Sequence, residues 1–191
     1  MTLSVAAAIV LAAAPAALAA QQAGPPLPLA APNTATPADV ASVDAIIRAL
    51  YEAVGFPPGG RQDSTRMRSL FFPGGHLVPP PSPQRPDSVA VWTVDDYLRV
   101  VNAFLDRDTT TVGMRARGFS EREASRRTES FGSLVHVFST YESRNTARDS
   151  LPFARGINSI QLMRHNGRWW VVNVAWEQER PGLVLPREYL P

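Results

Sequence analysis

The dipeptide Asn166-Gly167 constrains the fold of this chain more than any other feature. It separates two runs of alternating character, "GINSIQLMRH" and "RWWVVNVAWEQE". A two-residue type I′ turn needs positive φ at both central positions, and Asn-Gly reaches that conformation at little steric cost. The pair predicts a long hairpin in which His165 faces Arg168, Met163 faces Trp170 and Gln161 faces Val172. One face then carries Ile157, Ser159, Gln161, Met163, Trp170, Val172, Val174 and Trp176. The other carries Asn158, Ile160, Leu162, Arg164, Trp169, Val171, Asn173, Ala175 and Glu177. A half-exposed hairpin shows one polar side, whereas both of these faces are largely apolar. Both are expected to be covered.

Helix signals lie upstream. Thr36-Pro37-Ala38-Asp39 is a capping box with proline at the first helical position. Val43, Ile46, Ile47, Leu50 and Val54 follow at helical spacing, and "GFPPGG" ends the run. A second helix fits Ser64 to Phe71, followed by "PGGHLV" turning into a strand. "PPPSPQRP" (79–86) reads as a loop and "SVAVW" as a short strand. A second capping box at Thr93 and Asp96 opens a helix whose apolar face holds Val94, Tyr97, Val101, Phe104 and Leu105. "GSLVHVFSTYES" (132–143) is a strand with Val135, Val137, Ser139 and Tyr141 on one side and His136, Phe138, Thr140 and Glu142 on the other. Local propensity alone makes residues 117–130 helical, through Ser120, Glu123 and the Glu123–Arg127 pair. Helices followed by strands predict an α+β fold, with about three helices laid on one side of a curved antiparallel sheet.

The first twenty residues do not belong to that domain. "LSVAAAIVLAAAPAALAA" is apolar, and Ala17-Leu18-Ala19 fits a leader-cleavage pattern, although no basic residue precedes it. Export to the periplasm or exterior is expected, with no membrane association once the leader is cleaved. Residues 21–36 form a Pro- and Ala-rich tether, residues 37–180 the domain, and residues 181–191 an extended tail. The 191 residues contain no Cys, which removes disulfides, thiol nucleophiles and Cys-ligated metals. All 19 basic residues are Arg, they are dispersed, and 17 acidic residues offset them, so nucleic-acid binding is not expected. The three histidines lack metal-ligand spacing, and no metal or cofactor is expected.

Three segments carry a family resemblance: "LFFPGGHLV", "FGSLVHVFSTYESR" and "GINSIQL" with "GRWWVVNVAWEQE". In this element order they resemble the nuclear transport factor 2-like superfamily, which includes SnoaL-like polyketide cyclases and ketosteroid isomerases. The resemblance runs roughly from Asp39 to Glu179 and implies a cone-shaped fold. It also implies that 117–130 is a strand, against local propensity. "INSIQL" resembles the "IDHFRF" run of ketosteroid isomerases, where the Asp points into the pocket as a hydrogen-bond donor. By that resemblance Asn158, Ile160 and Leu162 line the cone, with Asn173, Glu177 and Trp169 alongside and Tyr51 near a donor position. The face with Trp170 and Trp176 becomes the outer side, and a homodimer through it is expected.

The same resemblance removes one chemistry. Where ketosteroid isomerases carry "VEDP", this chain reads "HLVPP", and the position of the basic Asp falls on Pro79. His136 and His76 remain as candidate bases, because an unperturbed imidazole titrates near neutrality. The leading expectation is an exported domain that binds a small apolar or amphipathic molecule in the cone. The alternatives are an isomerase, cyclase or dehydratase with a His base, and a dimeric structural or partner-binding module. The direction of His136 discriminates among them: inward beside Asn158 favours an enzyme.

Overall fold

Thr36 closes its capping box with Asp39, but over a 3-10 turn at Pro37–Val40 rather than a full helix. Ser42 then caps α1 (Val43–Val54) by accepting from the Ala45 N–H. Asp63 caps α2 (Ser64–Leu70), which passes directly into β1 (Phe71–Val78). The Thr93–Asp96 box starts α3 (Val94–Arg107), and β2 is only Trp92–Thr93, so the expected strand survives at Trp92 alone. A single turn, α4 (Met114–Arg117), precedes β3 (Ser120–Phe131), so tertiary pairing overrides the helix propensity of that stretch. The remaining strands are β4 (Leu134–Arg144), β5 (Ala154–His165) and β6 (Arg168–Gln178). This computed structural model describes residues 35–81 and 86–191. The leader, nearly all of the tether and part of the 79–86 loop lie outside them.

The strands form one six-stranded sheet in the order β2-β1-β6-β5-β4-β3. Each pairing is antiparallel except β1 with β6, which is parallel, so the sheet is mixed rather than antiparallel throughout. Asn166 and Gly167 have φ of 49° and 75°, as a type I′ turn requires. The apolar stripe of α1 (Ile46, Ile47, Leu50) packs with Met67, Leu70 and Leu98 against Val135, Val137, Ile160, Leu162 and Val171 of the concave face. Each fully buried aliphatic side chain there contributes roughly 1.5–3 kcal/mol relative to exposure.

Two β-bulges decide which side chains face the helices. In β6, Leu162 pairs with Val171 while Gln161 pairs with Asn173, so Val172 is the extra residue. From there on the faces exchange. Val174 and Trp176 turn inward with Ile160 and Asn158, while Asn173 pairs with Gln161 and Glu177 with Ile157 on the outer face. In β3, Glu123 pairs with Tyr141 while Ser125 pairs with Thr140, so Ala124 is extra. Uninterrupted pairing from the Gly132 turn would have set Arg122 opposite Ser143. The bulge sets Glu121 there instead.

The tail crosses the outer face. Thr140 Oγ1 donates to the Tyr189 carbonyl at 2.6 Å, the Tyr189 ring meets Phe138 at 5.2 Å, and Arg127 stacks over it at 5.0 Å.

Candidate functional site

Beneath α1 and α3, the concave face leaves a cavity of about 240 Å³ open at one end of the sheet. Its walls are aromatic: Tyr51, Tyr97, Phe119, Tyr141, Phe153 and Trp176. Trp176 is held by Trp92 and by the edge of Tyr97, each with ring centroids 6.5 Å away. Phe119 sits between Phe56, at 6.0 Å, and Phe153, at 6.2 Å, near Met114.

The polar part of the lining comes from three neighbouring strands and α1. Glu121 on β3 accepts from Ser143 Oγ at 3.1 Å and, at a longer 3.4 Å, from Asn158 Nδ2. Asn158 Nδ2 also donates to the Tyr51 hydroxyl oxygen at 3.2 Å. Tyr51 in turn meets Ser139 Oγ at 2.7 Å, and Ser139 donates to Glu123 at 2.6 Å. Glu123 is ion-paired with Arg126 at 3.0 Å.

Glu121 is half-buried by area, yet its carboxyl is desolvated by the protein around it. Burial pushes its pKa up to about 7, against the opposing hydrogen bonds from Ser143 and Asn158. Burial likewise pushes the Tyr97 hydroxyl up to about 12, opposed by its hydrogen bond with Gln62. Burial also raises Tyr51 and Tyr141, which the negative charge of Glu121 disfavours further as phenolates. The cavity thus holds one carboxyl able to exchange a proton near neutrality, among hydroxyls that stay neutral.

The residues expected at the site divide. Tyr51 and Asn158 line the cavity. Ile160 and Leu162 share the concave face with Asn158 but are wholly buried under the helices as core. Trp169 packs on the same core and borders a separate shallow groove with Val43, Asp44 and Arg126. Asn173 and Glu177 point outward because of the Val172 bulge, and Glu177 pairs with Arg180 at 2.5 Å. His136 is on the outer face, hydrogen-bonded to Ser159 Oγ at 3.0 Å, and His76 is exposed opposite Asn173. Neither imidazole reaches Asn158, since alternation along β4 and β1 turns each away from the cavity.

Trp170 and Trp176 do not form an open outer face. Trp170 is 6% exposed, covered by Arg168 at 3.7 Å and by the edge of Phe72. Trp176 is inside the cavity. These two residues therefore do not share one open outer face, as the dimer expectation assumed.

Sequence reasoning missed Glu121, Ser143, Tyr141, Tyr97 and Trp176. Tyr141 was readable from the alternation of 132–143, and Tyr97 from the apolar stripe of α3. Glu121 and Trp176 depend on bulges that no local pattern marks.

No family model matches the sequence, and no curated protein is a significant match. Among solved structures the chain is similar to an NTF2-like protein of unknown function from Shewanella baltica, at 14% identity and TM-score 0.43, over 71% of this chain and 86% of that one. It is similar to another from Silicibacter pomeroyi at 14% identity and TM-score 0.46, over 73% and 94%. A protein of unknown function with a cystatin-like fold from Nostoc punctiforme matches at 16% identity and TM-score 0.45, over 61% and 77%.

Proposed function

We propose that this chain is an exported domain that binds a small, largely apolar molecule in its cone and holds the polar end of that molecule at Glu121 and Asn158. The observation that carries this reading is the cavity of about 240 Å³, walled by aromatic rings and furnished with a few convergent polar groups. An apolar cavity of about 150 Å³ takes a benzene-sized guest, so this one fits a single ring with a short arm. Export rests on the apolar leader and the Ala17-Leu18-Ala19 pattern, and the N-terminal mass of the chain recovered from outside the cytoplasm tests it.

The reading is tested by thermal shift against a library of one-ring compounds. Binders raise Tm, because a ligand that prefers the folded state stabilises it. In an Ala154→Trp variant, which fills the lining near Phe153, the same compounds lose the effect. Equal shifts in both proteins, or none in either, overturn the reading.

A second reading is favoured by the proton affinity of Glu121: an enzyme that moves a proton on its substrate, with Glu121 as acid or base. The Tyr141 hydroxyl, which makes no hydrogen bond to any described residue, would be its donor. Binding is preferred because chemistry through an enolate needs several donors aimed at the substrate, and those of Tyr51 and Asn158 are engaged within the chain.

A further inference from the structure

We propose that the molecule held in this cavity is a compact organic cation, a protonated amine carried on a one-ring or short aliphatic body. The inference rests on the binding reading above and specifies its ligand.

Charge is the first ground. The described residues lining the cavity include one ionisable carboxyl, Glu121, and no Arg or His. Behind Glu121 a cleft holds Arg48, Arg122 and Arg126, and each is engaged elsewhere. Arg48 lies 4.0 Å from Glu52, Arg122 is 2.9 Å from Glu142, and Arg126 is 2.8 Å from Asp44 and 3.0 Å from Glu123. Among the described residues no cation pairs with Glu121. An unpaired desolvated carboxylate is costly, and a ligand cation relieves that cost. A ligand anion would add to it, which excludes carboxylates and phosphates.

Hydrogen-bond polarity is the second ground. Glu123, ion-paired with Arg126, only accepts, so Ser139 spends its proton on it. Tyr51 must then donate to Ser139. Its oxygen accepts one Asn158 N–H, and the other goes to Glu121. Asn158 Oδ1 accepts nothing from any described residue. What these groups leave for a ligand is acceptors: Asn158 Oδ1, the Glu121 oxygens and the remaining lone pair of Tyr51. A ligand with several N–H donors satisfies them, whereas a carbonyl meets only the free Tyr141 hydroxyl and leaves all of these acceptors unmet.

The walls are the third ground. Tyr97, Tyr141, Phe119 and Trp176 line the same cavity as the carboxyl, and ring faces attract a desolvated ammonium. Tyr51 on α1, Tyr97 on α3 and Tyr141 on β4 all stay neutral through neutral pH, so Glu121 alone sets the charge of the cavity there.

The test is calorimetric titration of the full chain with three probes that share one body: 2-phenylethylammonium, 2-phenylethanol and 3-phenylpropanoate. At pH 8 the ammonium binds at least ten times more tightly than the alcohol, and the carboxylate does not bind. Between pH 8 and pH 6 ammonium affinity falls about tenfold as Glu121, with its pKa of about 7, takes up its proton. Alcohol affinity stays level or rises. In Glu121→Gln the ammonium loses its advantage and the alcohol still binds, while the pH series on the unchanged chain gives the same readout without a substitution. An alcohol as tight as the ammonium at pH 8 overturns the cation and leaves the binding reading standing. Tighter binding of the carboxylate overturns the cation as well. No binding by any probe at millimolar concentration overturns both.

Discussion

Glu121 of β3 and Asn158 of β5 meet above the intervening strand β4, with Asn158 Nδ2 3.4 Å from Glu121 Oε1. Ser143 of β4 completes the arrangement at 3.1 Å, yet these two donors do not offset the loss of water around the carboxyl. Glu121 ordinarily titrates near 4.5 and here is raised to about 7, so between those values the folded state holds a proton that the unfolded state has released. Stability is therefore expected to be highest below about pH 4.5 as far as this group is concerned, and to fall as pH rises through about 7. The full change for this one group is on the order of 3 kcal/mol, at about 1.4 kcal/mol for each tenfold in proton affinity. Urea unfolding at pH 5.5 and pH 8 checks it. Glu121→Gln should flatten the difference between the two curves, and an unchanged difference would mean that other groups produce it.

Much of the framework was legible in the sequence, because caps and turns are local. Thr93 with Asp96, and Asn166 with Gly167, each act within a few residues, and each appears where the chain spells it. Strict alternation also grouped Val135, Val137, Ser139 and Tyr141 on one face of β4, which is the inner one. The site was harder to read, because two single-residue bulges set its membership. Without the extra Val172, the inward positions would be Asn173, Ala175 and Glu177 rather than Val174, Trp176 and Gln178. Without the extra Ala124, Arg122 would occupy the place of Glu121. A bulge is settled by sheet twist and by packing against α1, which leave no periodic trace in the strand itself.

The Asn-Gly turn offers a direct check on the hairpin. Gly167 sits at φ 75° with open space where a Cβ would go, so a substitution there meets backbone strain without a clash. Gly167→Ala is expected to cost about 1 kcal/mol, the usual penalty for a side chain in the left-handed region. The midpoint of chemical unfolding should shift with an unchanged m-value. A changed m-value would point to a different register rather than local strain.

Gly156 marks a closer constraint. It pairs with Tyr141 on β4, and a Cβ there would fall onto the Glu177 carbonyl and the Tyr141 hydroxyl. Gly156→Ala must displace the Tyr141 ring into the cavity or spread β5 from β6. A loss of roughly 1–3 kcal/mol is expected, as for other overpacked sites, together with weaker binding of any cavity ligand. Combining it with Tyr141→Phe separates the two contacts. If the hydroxyl is the principal obstacle, the double variant recovers part of the loss. If it recovers nothing, the Glu177 carbonyl governs.

The tail presents a pair whose coupling can be measured. Thr140 Oγ1 is nearly inaccessible and donates to the Tyr189 carbonyl at 2.6 Å, while the Tyr189 ring lies between Phe138 and the Arg127 guanidinium. Tyr189→Ala removes the ring contacts but keeps a carbonyl for Thr140, and about 1–2 kcal/mol of stability should be lost. Thr140→Val removes the donor and leaves the carbonyl to water, for a smaller loss of about 0.5–1.5 kcal/mol. If the tail docks as a unit, the double variant costs less than the sum of the two, because either change alone already loosens the strap. Strict additivity would mean that the ring and the carbonyl dock independently. The same series, followed by hydrogen exchange, should show protection of residues 183–190 falling while the β5–β6 hairpin keeps its own, since the strap lies on the outer face and the cavity on the inner one.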